Sequence, residues 1–274
     1  LQSYNNKGNL IFYDFEQNQL EKIFDEIKID LVIHLATYYK KNHTKNDIKN
    51  MIQANIEFPT ELLEIMVAHD VKYFINTGTF FEYSLDSKDP ITEEHEINPY
   101  DLYASTKIAF ENILKFYTDK FFISAITLRL FAPYGPFESE NKIISFMIKS
   151  ALERSPVKFK SSGFQQWDYI FVQDIVEAFI KAIDFIINSD VKHEVFNIGS
   201  GKAVSIRNIF EYINKIGKTN IEAIWNDIKN REEIDYACAD ITKAKKILGW
   251  QPRFDLQRGL EITYNWFKKN MNMR

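Results

Sequence analysis

The sequence predicts an α/β fold organised around a doubly wound parallel sheet. Short apolar runs alternate with stretches of helical periodicity from residue 9 to residue 131, and the connections between them are short. Strands that alternate with helices in this way pair in parallel through right-handed crossovers. Hydrophobic residues make up 45% and charged residues 26% of the 274 positions, as in ordinary globular domains. The less regular pattern after residue 132 predicts a smaller C-terminal lobe.

Each predicted element rests on its own pattern of apolar residues. Short continuous apolar runs favour buried strands, and apolar residues spaced three and four apart favour helices. The predicted strands are Asn9–Tyr13, Asp30–Leu35, Lys72–Asn76, Ser124–Phe131, Asp168–Val172 and Glu194–Ile198. The predicted helices are Gln17–Glu26, Ile48–Ala68, Tyr100–Tyr117, Ile143–Arg154 and Asp174–Ile187. We expect Asp30–Leu35 to be fully buried, because its apolar side chains form a continuous run.

Charge and composition exclude several kinds of partner. The net charge is −4 and the lysines are scattered among acids, which leaves no basic surface for a nucleic acid. The single cysteine, Cys238, allows no internal disulfide and no cysteine cluster for zinc, and the five histidines are dispersed. No apolar run approaches the roughly 20 residues that cross a bilayer, and no signal peptide opens the sequence. We therefore expect a cytoplasmic protein with no metal site, no nucleic-acid partner and no membrane partner.

The strongest chemical motif is YASTK, Tyr103 to Lys107, which lies in a predicted helix. A spacing of four residues puts the phenol and the ammonium on one helix face. A fixed positive charge favours the phenolate, so we expect Lys107 to lower the pKa of Tyr103 towards neutrality. Thr79, 24 residues earlier, follows a buried strand, and its hydroxyl can meet the phenol over a substrate carbonyl. The alternative for Thr79 is a helix or turn cap.

Seven motifs occur in an order that resembles the NAD-dependent epimerase/dehydratase family of extended short-chain dehydrogenases. They are VIHLAT (Val32 to Thr37), FINTGTFFEY (Phe74 to Tyr83), NPYDLYASTK (Asn98 to Lys107), LRLFAPYGP (Leu128 to Pro136), WDYIFVQDIVEAF (Trp167 to Phe179), FNIGSG (Phe196 to Gly201) and LGWQP (Leu248 to Pro252). The resemblance covers nearly the whole chain and implies a Rossmann-like dinucleotide-binding fold. It also implies that Thr79, Tyr103 and Lys107 match the family's catalytic Ser/Thr, Tyr and Lys.

The resemblance further implies where NADP or NAD and a nucleotide sugar would bind. The expected cofactor contacts are Asp14, His34, Leu35, Ala36, Thr37, Asn55, Tyr103, Lys107 and Pro133. The expected substrate contacts are Phe80, Phe81, Trp167 and Arg231. The dinucleotide-binding domain would comprise residues 1–132 and receive residues 168–198, and the substrate lobe would comprise residues 133–167 and 199–274. We also expect a homodimer formed through the helix that carries Tyr103.

The glycine-rich turn of a dinucleotide-binding fold has no counterpart near residue 1. Such a turn places a helix N-terminus against the pyrophosphate, and no G-x-G-x-x-G cluster occurs there. The first βαβ unit takes about 30 residues. We therefore expect that unit to be missing from the start of the printed sequence.

Departures from the family pattern narrow the expected reaction. Sugar-nucleotide 4,6-dehydratases carry Asp-Glu directly after the catalytic Thr, where this sequence has Phe80 and Phe81. Ala132 and Trp167 stand where many 4-epimerases have an Asn and an Arg. The combination resembles most closely the reductases of nucleotide-linked 4-keto-6-deoxyhexoses in deoxysugar biosynthesis. Phe80 and Phe81 would suit a sugar that has lost its 6-hydroxyl, unless either ring belongs to the core.

Two other functions are compatible with the sequence. The first is a nucleotide-sugar 4-epimerase, in which hydride returns to the opposite face of a rotated ketosugar. The second is an inactive or non-enzymatic relative that binds or scaffolds. Bound oxidised cofactor without net consumption would distinguish the epimerase, and a failure to bind dinucleotide would distinguish the inactive relative.

Overall fold

The computed structural model describes residues 20–226 and 234–271. The helices are α1 (Leu20–Glu26), α2 (Lys45–Ile52), α3 (Phe58–Ala68), α4 (Leu102–Lys120), α5 (Ile143–Glu153), α6 (Val172–Asn188), α7 (Ile206–Gly217) and α8 (Leu256–Met271). The strands are β1 (Leu31–His34), β2 (Tyr73–Thr79), β3 (Ser124–Leu130), β4 (Pro133–Tyr134), β5 (Val157–Phe159), β6 (Gln166–Asp168), β7 (Ile170–Phe171), β8 (His193–Ile198), β9 (Ala203–Ser205), β10 (Ala223–Trp225) and β11 (Tyr236–Ala237). A π-helical turn, Gln53–Glu57, joins α2 to α3, and a 3₁₀ turn, Phe80–Glu82, follows β2.

The central sheet is parallel throughout the described part of the chain. Its strands follow the order β1-β2-β3-β8. In register, Ile75 of β2 lies beside Ile33 of β1 and Ile126 of β3. The prediction of an α/β fold with a parallel central sheet is therefore confirmed.

Helices cover both faces of this sheet because successive side chains of a strand point to opposite sides. Phe74 of β2 packs in a cluster with side chains of α3 and α4, such as Leu63 and Phe110. Its neighbour Ile75 packs on the other face in a cluster with Ala178 of α6. Both Phe74 and Ile75 are fully buried. Because both faces of the central strands are buried, these strands appear in the sequence as continuous apolar runs.

A second apolar core lies between α5, α7 and α8. It is built from Met147, Ile148, Ile209 and Leu260, all inaccessible to solvent or nearly so. The segment from Ile234 to Trp250 instead packs, together with α6, in the cluster that contains Ile75 on one face of the central sheet. The two cores are therefore not separated at a single point in the sequence, and the domain boundaries expected at residues 132, 167 and 198 stay predictions.

Three predicted elements differ from the structure. Strand β1 is only partly buried, with Ile33 39% exposed, because among the described strands it pairs with β2 alone. The helix predicted at Ile48–Ala68 is interrupted by the π-helical turn. Helix α6 begins at Val172, where a strand was expected to end. The predicted strand Asn9–Tyr13 lies outside the described residues.

Asp168 joins β6 to the glycine-containing turn after β8. Its buried carboxylate accepts hydrogen bonds from the main-chain N–H groups of Ser200 (2.6 Å), Gly201 (2.9 Å) and Ala239 (3.1 Å). Replacement by alanine leaves these donors without acceptors, and buried unsatisfied donors are costly. We expect Asp168→Ala to lower the free energy of unfolding by about 3 kcal/mol in urea titrations.

The matched control for that experiment is Asp240→Ala. Asp240 accepts a hydrogen bond from the Thr242 N–H at 2.7 Å in an exposed turn, where water can replace the carboxylate. We expect it to cost less than about 1 kcal/mol. Equal losses in the two variants would contradict the assigned role of Asp168.

Candidate active site

Tyr103 lies in the first turn of α4. The turn is fixed by Asp101, whose carboxylate accepts a hydrogen bond from the Ala104 N–H at 2.8 Å. The phenol ring is 9% exposed and packs edge-on against Tyr39, with ring centroids 4.9 Å apart. Its hydroxyl hydrogen-bonds the side chain of Thr37. The helix start therefore holds the phenol beside the loop that follows β1.

Burial raises the pKa of the Tyr103 phenol in the protein alone. The hydrogen bond with Thr37 opposes this effect, and the strongest charge acting on the phenol is the carboxylate of Glu82, which also raises the pKa. The net shift is opposite to the lowering predicted from the Tyr103–Lys107 spacing. The reason is that burial of the phenol outweighs the hydrogen bond with Thr37, and the negative charge of Glu82 adds to the effect of burial.

Lys107 is one of four charged side chains that are buried or nearly buried in the same region. Arg129 of β3 contacts Glu82 at 2.7 Å through Nε and Glu111 at 2.7 Å through Nη2. Burial lowers the pKa of Lys107, whereas the charges of Glu82 and Glu111 raise it. Two cations and two carboxylates thus neutralise one another in an enclosed space. We call Glu82, Lys107, Glu111 and Arg129 the charge quartet.

Thr79 caps the 3₁₀ turn at the carboxyl end of β2. Its hydroxyl accepts a hydrogen bond from the Phe81 N–H at 3.4 Å, and its own N–H donates to Glu82 Oε1 at 2.8 Å. The alternative role as a cap is thus present in the structure. Thr79 is also 8% exposed at the sheet edge, which leaves its predicted catalytic role as a proposal.

Asn55 connects the loop after β1 to the helix of Tyr103. Its Oδ1 accepts hydrogen bonds from the Thr37 hydroxyl (3.0 Å) and the Tyr38 N–H (2.7 Å). Its Nδ2 donates to the Tyr38 carbonyl (3.1 Å) and the Thr106 hydroxyl (2.9 Å). The buried amide is saturated by these four bonds, and π-helical turns of this kind recur at functional sites. Asn55 therefore positions the site rather than presenting a free amide to a ligand.

The segment expected along the cofactor divides into a buried and an exposed part. The His34 imidazole is buried among Phe58, Phe74 and Phe110. By contrast, Leu35 is 61% exposed, and Ala36 and Thr37 are exposed with it. Leu35 is thus an exposed apolar side chain two residues before Thr37, which hydrogen-bonds the Tyr103 phenol. His34 could contribute only its main chain.

His34 makes the stability of the fold sensitive to acid. Burial lowers the pKa of His34 from 6.5 to about 4, with a smaller contribution from the charge of Lys107. The unfolded chain therefore binds a proton between pH 6.5 and about 4 that the folded chain does not. Stability from the neutral imidazole is complete above pH 6.5 and is lost as the pH falls towards 4. Its full size is about 3 kcal/mol.

We expect His34→Gln to be less sensitive to acid than the wild-type protein. The comparison is the change in unfolding free energy between pH 7 and pH 5, measured in urea, where the variant should lose about 2 kcal/mol less. Parallel pH curves for His34→Gln and wild type would refute the assignment.

An aromatic wall, formed by Phe81, Tyr100 and Trp167, lies beside Thr79. Phe80 is buried and stacks on Phe131 at 5.2 Å, so it belongs to the core. Phe81 is half-buried and contacts Tyr100 and Trp167, at 5.7 and 6.0 Å between centroids. The Trp167 indole N–H donates to the Ile234 carbonyl at 2.9 Å, which fixes its orientation. Of the two phenylalanines left open by the sequence, Phe81 is thus the one that can meet a ligand.

The remaining predicted site residues are less informative. Pro133 is exposed at the start of β4, close in sequence to the carboxyl end of β3. Asp14 and Arg231 lie outside the described residues. Within residues 20–226 and 234–271, no group of three His, Cys, Asp or Glu side chains could hold a metal ion. No helix of that same part of the chain is long and apolar enough to span a bilayer.

Sequence reasoning missed the carboxylates and the arginine of the charge quartet. Two signals could have revealed them. Thr79 and Glu82 have the T-x-x-E spacing of a capping box, and Glu111 follows Lys107 by one helical turn. Arg129 is also the single charged residue in the otherwise uncharged strand Ser124–Leu130. A charge in a central strand indicates a buried partner.

The fold and the site together define a class of protein. A parallel α/β sheet with a Tyr and a Lys one helical turn apart beside its carboxyl edge is the arrangement of short-chain dehydrogenases, as the sequence resemblance implied. Within that class, the chain belongs to the NAD-dependent epimerase/dehydratase family, whose model matches residues 2–199.

Individual members of this family are similar over most of their length. The UDP-glucuronate 4-epimerase of Thermodesulfobacterium geofontis is 29% identical, over 97% of this chain and 81% of that protein. The CDP-abequose synthase of Salmonella typhimurium is 29% identical, over 89% of this chain and 80% of that protein. The structure of UDP-glucuronic acid 4-epimerase from Bacillus cereus, in complex with UDP-glucuronic acid and NAD, superimposes with a TM-score of 0.84 at 26% identity, over 93% of this chain and 79% of that one.

Proposed function

We propose that this protein is an NAD(P)-dependent oxidoreductase of nucleotide sugars that reduces a nucleotide-linked 4-keto-6-deoxyhexose. The observation that carries the proposal is the position of Tyr103, held at a helix start and hydrogen-bonded to Thr37, which belongs to the exposed segment Leu35–Thr37 after β1. The similarity to both a CDP-abequose synthase and a UDP-sugar epimerase supports a nucleotide sugar as substrate.

The residues of the site fit a nicotinamide cofactor. Leu35, Ala36 and Thr37 form an exposed segment, and Thr37 hydrogen-bonds Tyr103, so we place the nicotinamide ribose along this segment. The bound cofactor supplies the hydride, and the protein supplies the proton. NAD is the cofactor named by the family, and NADP is the alternative, because residues that would select between them lie outside the described part of the chain.

Tyr103 is the proposed proton donor to the oxygen at C4 of the sugar. The Thr37 hydroxyl is hydrogen-bonded to the phenol and would orient it towards that oxygen. Thr79 would donate a hydrogen bond to the same oxygen and stabilise its developing negative charge. Lys107, one helical turn away, would hold the ribose and stabilise the phenolate that remains.

The aromatic wall favours a 6-deoxy sugar. Phe81 presents a half-buried ring beside Thr79, supported by Trp167 and Tyr100. A methyl group at C5 can pack on this ring, whereas a hydroxymethyl or carboxylate would be left without a polar partner there. This contact is the reason for placing the ketoreductase ahead of the epimerase.

A 4-epimerase is the second candidate, because a UDP-glucuronate 4-epimerase is as similar in sequence as the abequose synthase. The two reactions differ in cofactor balance. We expect stoichiometric loss of reduced cofactor, seen in the near-ultraviolet absorbance, when a nucleotide-linked 4-keto-6-deoxyhexose is added. Turnover of UDP-glucuronate or UDP-glucose without net cofactor consumption would favour the epimerase instead, and a failure to bind dinucleotide in calorimetry would favour the inactive relative.

We further propose a homodimer that uses α4. The helix carries Phe116, which is 51% exposed, on its outer surface. Burial of such a side chain against a second copy of the helix would stabilise the pair. Sedimentation of the wild type as a dimer and of Phe116→Glu as a monomer would support this contact.

A further inference from the structure

Glu82 is fully enclosed beneath the proposed reaction centre. Its exposed fraction is 0%, Oε1 accepts a hydrogen bond from the Thr79 N–H at 2.8 Å, and Oε2 lies 2.7 Å from Arg129 Nε. The same carboxylate acts electrostatically on Lys107 and on Tyr103. It is therefore linked to all three residues of the proposed proton-transfer site.

The chain makes room for this carboxylate at Gly78. A Cβ atom at that position would lie 2.8 Å from Arg129 Cγ and 3.0 Å from Glu82 Oε1. Every ionised group in such a space has to be stabilised by partners, because transfer from water costs several kcal/mol. A turn cap alone does not need this arrangement, since an exposed cap residue would serve.

The charges of the quartet balance only when Glu82 is ionised. Burial and the charge of Glu111 raise the pKa of Glu82 to about 7 against the opposing charge of Arg129, so this balance is reached above neutral pH. Arg129 and Lys107 contribute two positive charges, and Glu111 is the other carboxylate. Arg129 is shared between the carboxylates, at 2.7 Å from each. Loss of the Glu82 charge would leave one cation in excess, and Lys107 is the cation that can release a proton.

We propose that Glu82 is a positioning residue for proton transfer: its carboxylate holds the main chain of Thr79 and supplies the negative charge that keeps the Lys107 ammonium ionised one helical turn from Tyr103. This inference rests on the proposed function of Tyr103 and Lys107. Glu82 itself does not touch substrate, because it is enclosed by Thr79, Arg129 and α4. It acts through its neighbours.

Removal of the Glu82 charge shifts the pKa of Lys107 and the pKa of Tyr103 in the same direction. The charge raises the pKa of Lys107 and the pKa of Tyr103, so its loss lowers both. Other titratable groups also face the pair and stay in place in the variant. They are His34 of β1, Tyr39 of the following loop, Asp101 before α4, Glu111 of α4 and Arg129 of β3.

The test is the pH profile of kcat/KM for Glu82→Gln. The carboxamide is similar in size and its oxygen can still accept the Thr79 hydrogen bond, whereas its NH₂ group cannot accept from Arg129 Nε. The change therefore removes the charge and the contact with Arg129. We expect the pKa assigned to Tyr103 and Lys107 to fall by about one unit or more. Glu82→Asp retains the charge and should restore the wild-type pKa, even if its shorter side chain lowers kcat. Glu261→Gln, on the exposed face of α8, changes the net charge equally and should leave the profile unchanged.

A second measurement does not depend on activity. In Glu82→Gln, folded Lys107 should lose its proton at a lower pH than in the wild type, while the unfolded residue still titrates near its ordinary value. The unfolded chain then binds more protons across an alkaline window, so the unfolding free energy should rise with pH more steeply than in the wild type. The additional change Lys107→Met should remove this slope.

The outcomes separate this proposal from the proposed function. An unchanged pH profile together with an unchanged alkaline slope in Glu82→Gln overturns the role of Glu82. If the wild type turns over neither ketosugar nor nucleotide sugar, the proposed function fails, and the alkaline slope still tests the coupling of Glu82 to Lys107. A lowered pKa in Glu82→Gln that Glu82→Asp restores supports the proposal.

Discussion

Tyr103→Phe is expected to lower kcat/KM by about a factor of 10² to 10⁴ with little effect on folding, because it removes the group that transfers the proton. The ring and its edge-on contact with Tyr39 remain, and only the hydroxyl that bonds Thr37 is lost. The loss should appear whichever direction of the reaction is measured, since the same oxygen takes up and releases the proton. Steady-state kinetics and thermal unfolding on one preparation would check both parts.

The control for this variant lies on the same helix. Tyr117→Phe removes a phenol that bonds Glu64 near the other end of α4. It should retain wild-type turnover, so that a loss in Tyr103→Phe cannot be ascribed to a general effect on the helix. Wild-type activity in Tyr103→Phe would remove Tyr103 from the mechanism.

Arg129→Met is expected to cause the largest loss of stability, about 3 to 5 kcal/mol, because it leaves two buried carboxylates without their shared partner. Arg129 is 3% exposed and also lies over the ring of Tyr83, 4.7 Å from its centroid. The loss should be smaller at acidic pH, where Glu82 and Glu111 take up protons and no longer need a cation. Urea unfolding at pH 8 and pH 5 would show this difference.

An exposed arginine provides the comparison. Arg253 contacts Glu177 at 3.3 Å, and its side chain is 70% exposed. Exposed ion pairs contribute little, so Arg253→Met should cost less than about 1 kcal/mol at both pH values. A loss in Arg129→Met no greater than this would show that the charge quartet does not stabilise the fold.

Much of the fold could be predicted because strand and helix periods differ. The parallel strands β2, β3 and β8 were found within a few residues of their ends, and so was the start of α4, which places Tyr103. The π-helical turn at Gln53–Glu57 was not, since a single extra residue barely disturbs the apolar spacing of a long helix. The exposure of Ile33 was missed because an apolar run does not say how many neighbours a strand has.

The candidate site was predicted only in part because its polar residues act through contacts that are distant in sequence. Tyr103 and Lys107 are one helical turn apart, and their shared face follows from spacing alone. Arg129 meets Glu82 and Glu111 only after β3 has packed beside β2 and under α4. The raised pKa of Tyr103 follows mainly from burial of the phenol, to which the charge of Glu82 adds. A prediction that considered only Tyr103 and Lys107 therefore gave the wrong direction for the pKa shift of Tyr103.

The four hydrogen bonds of Asn55 have a mechanical consequence. Because one amide bonds both the Thr37–Tyr38 loop and the Thr106 hydroxyl, the loop and α4 are connected to each other through hydrogen bonds. A molecule that pushes the loop outward must also displace the phenol, or else break bonds inside the protein. The distance between the Thr37–Tyr38 loop and α4 is therefore set before a ligand binds, and it depends on the length of the Asn55 side chain.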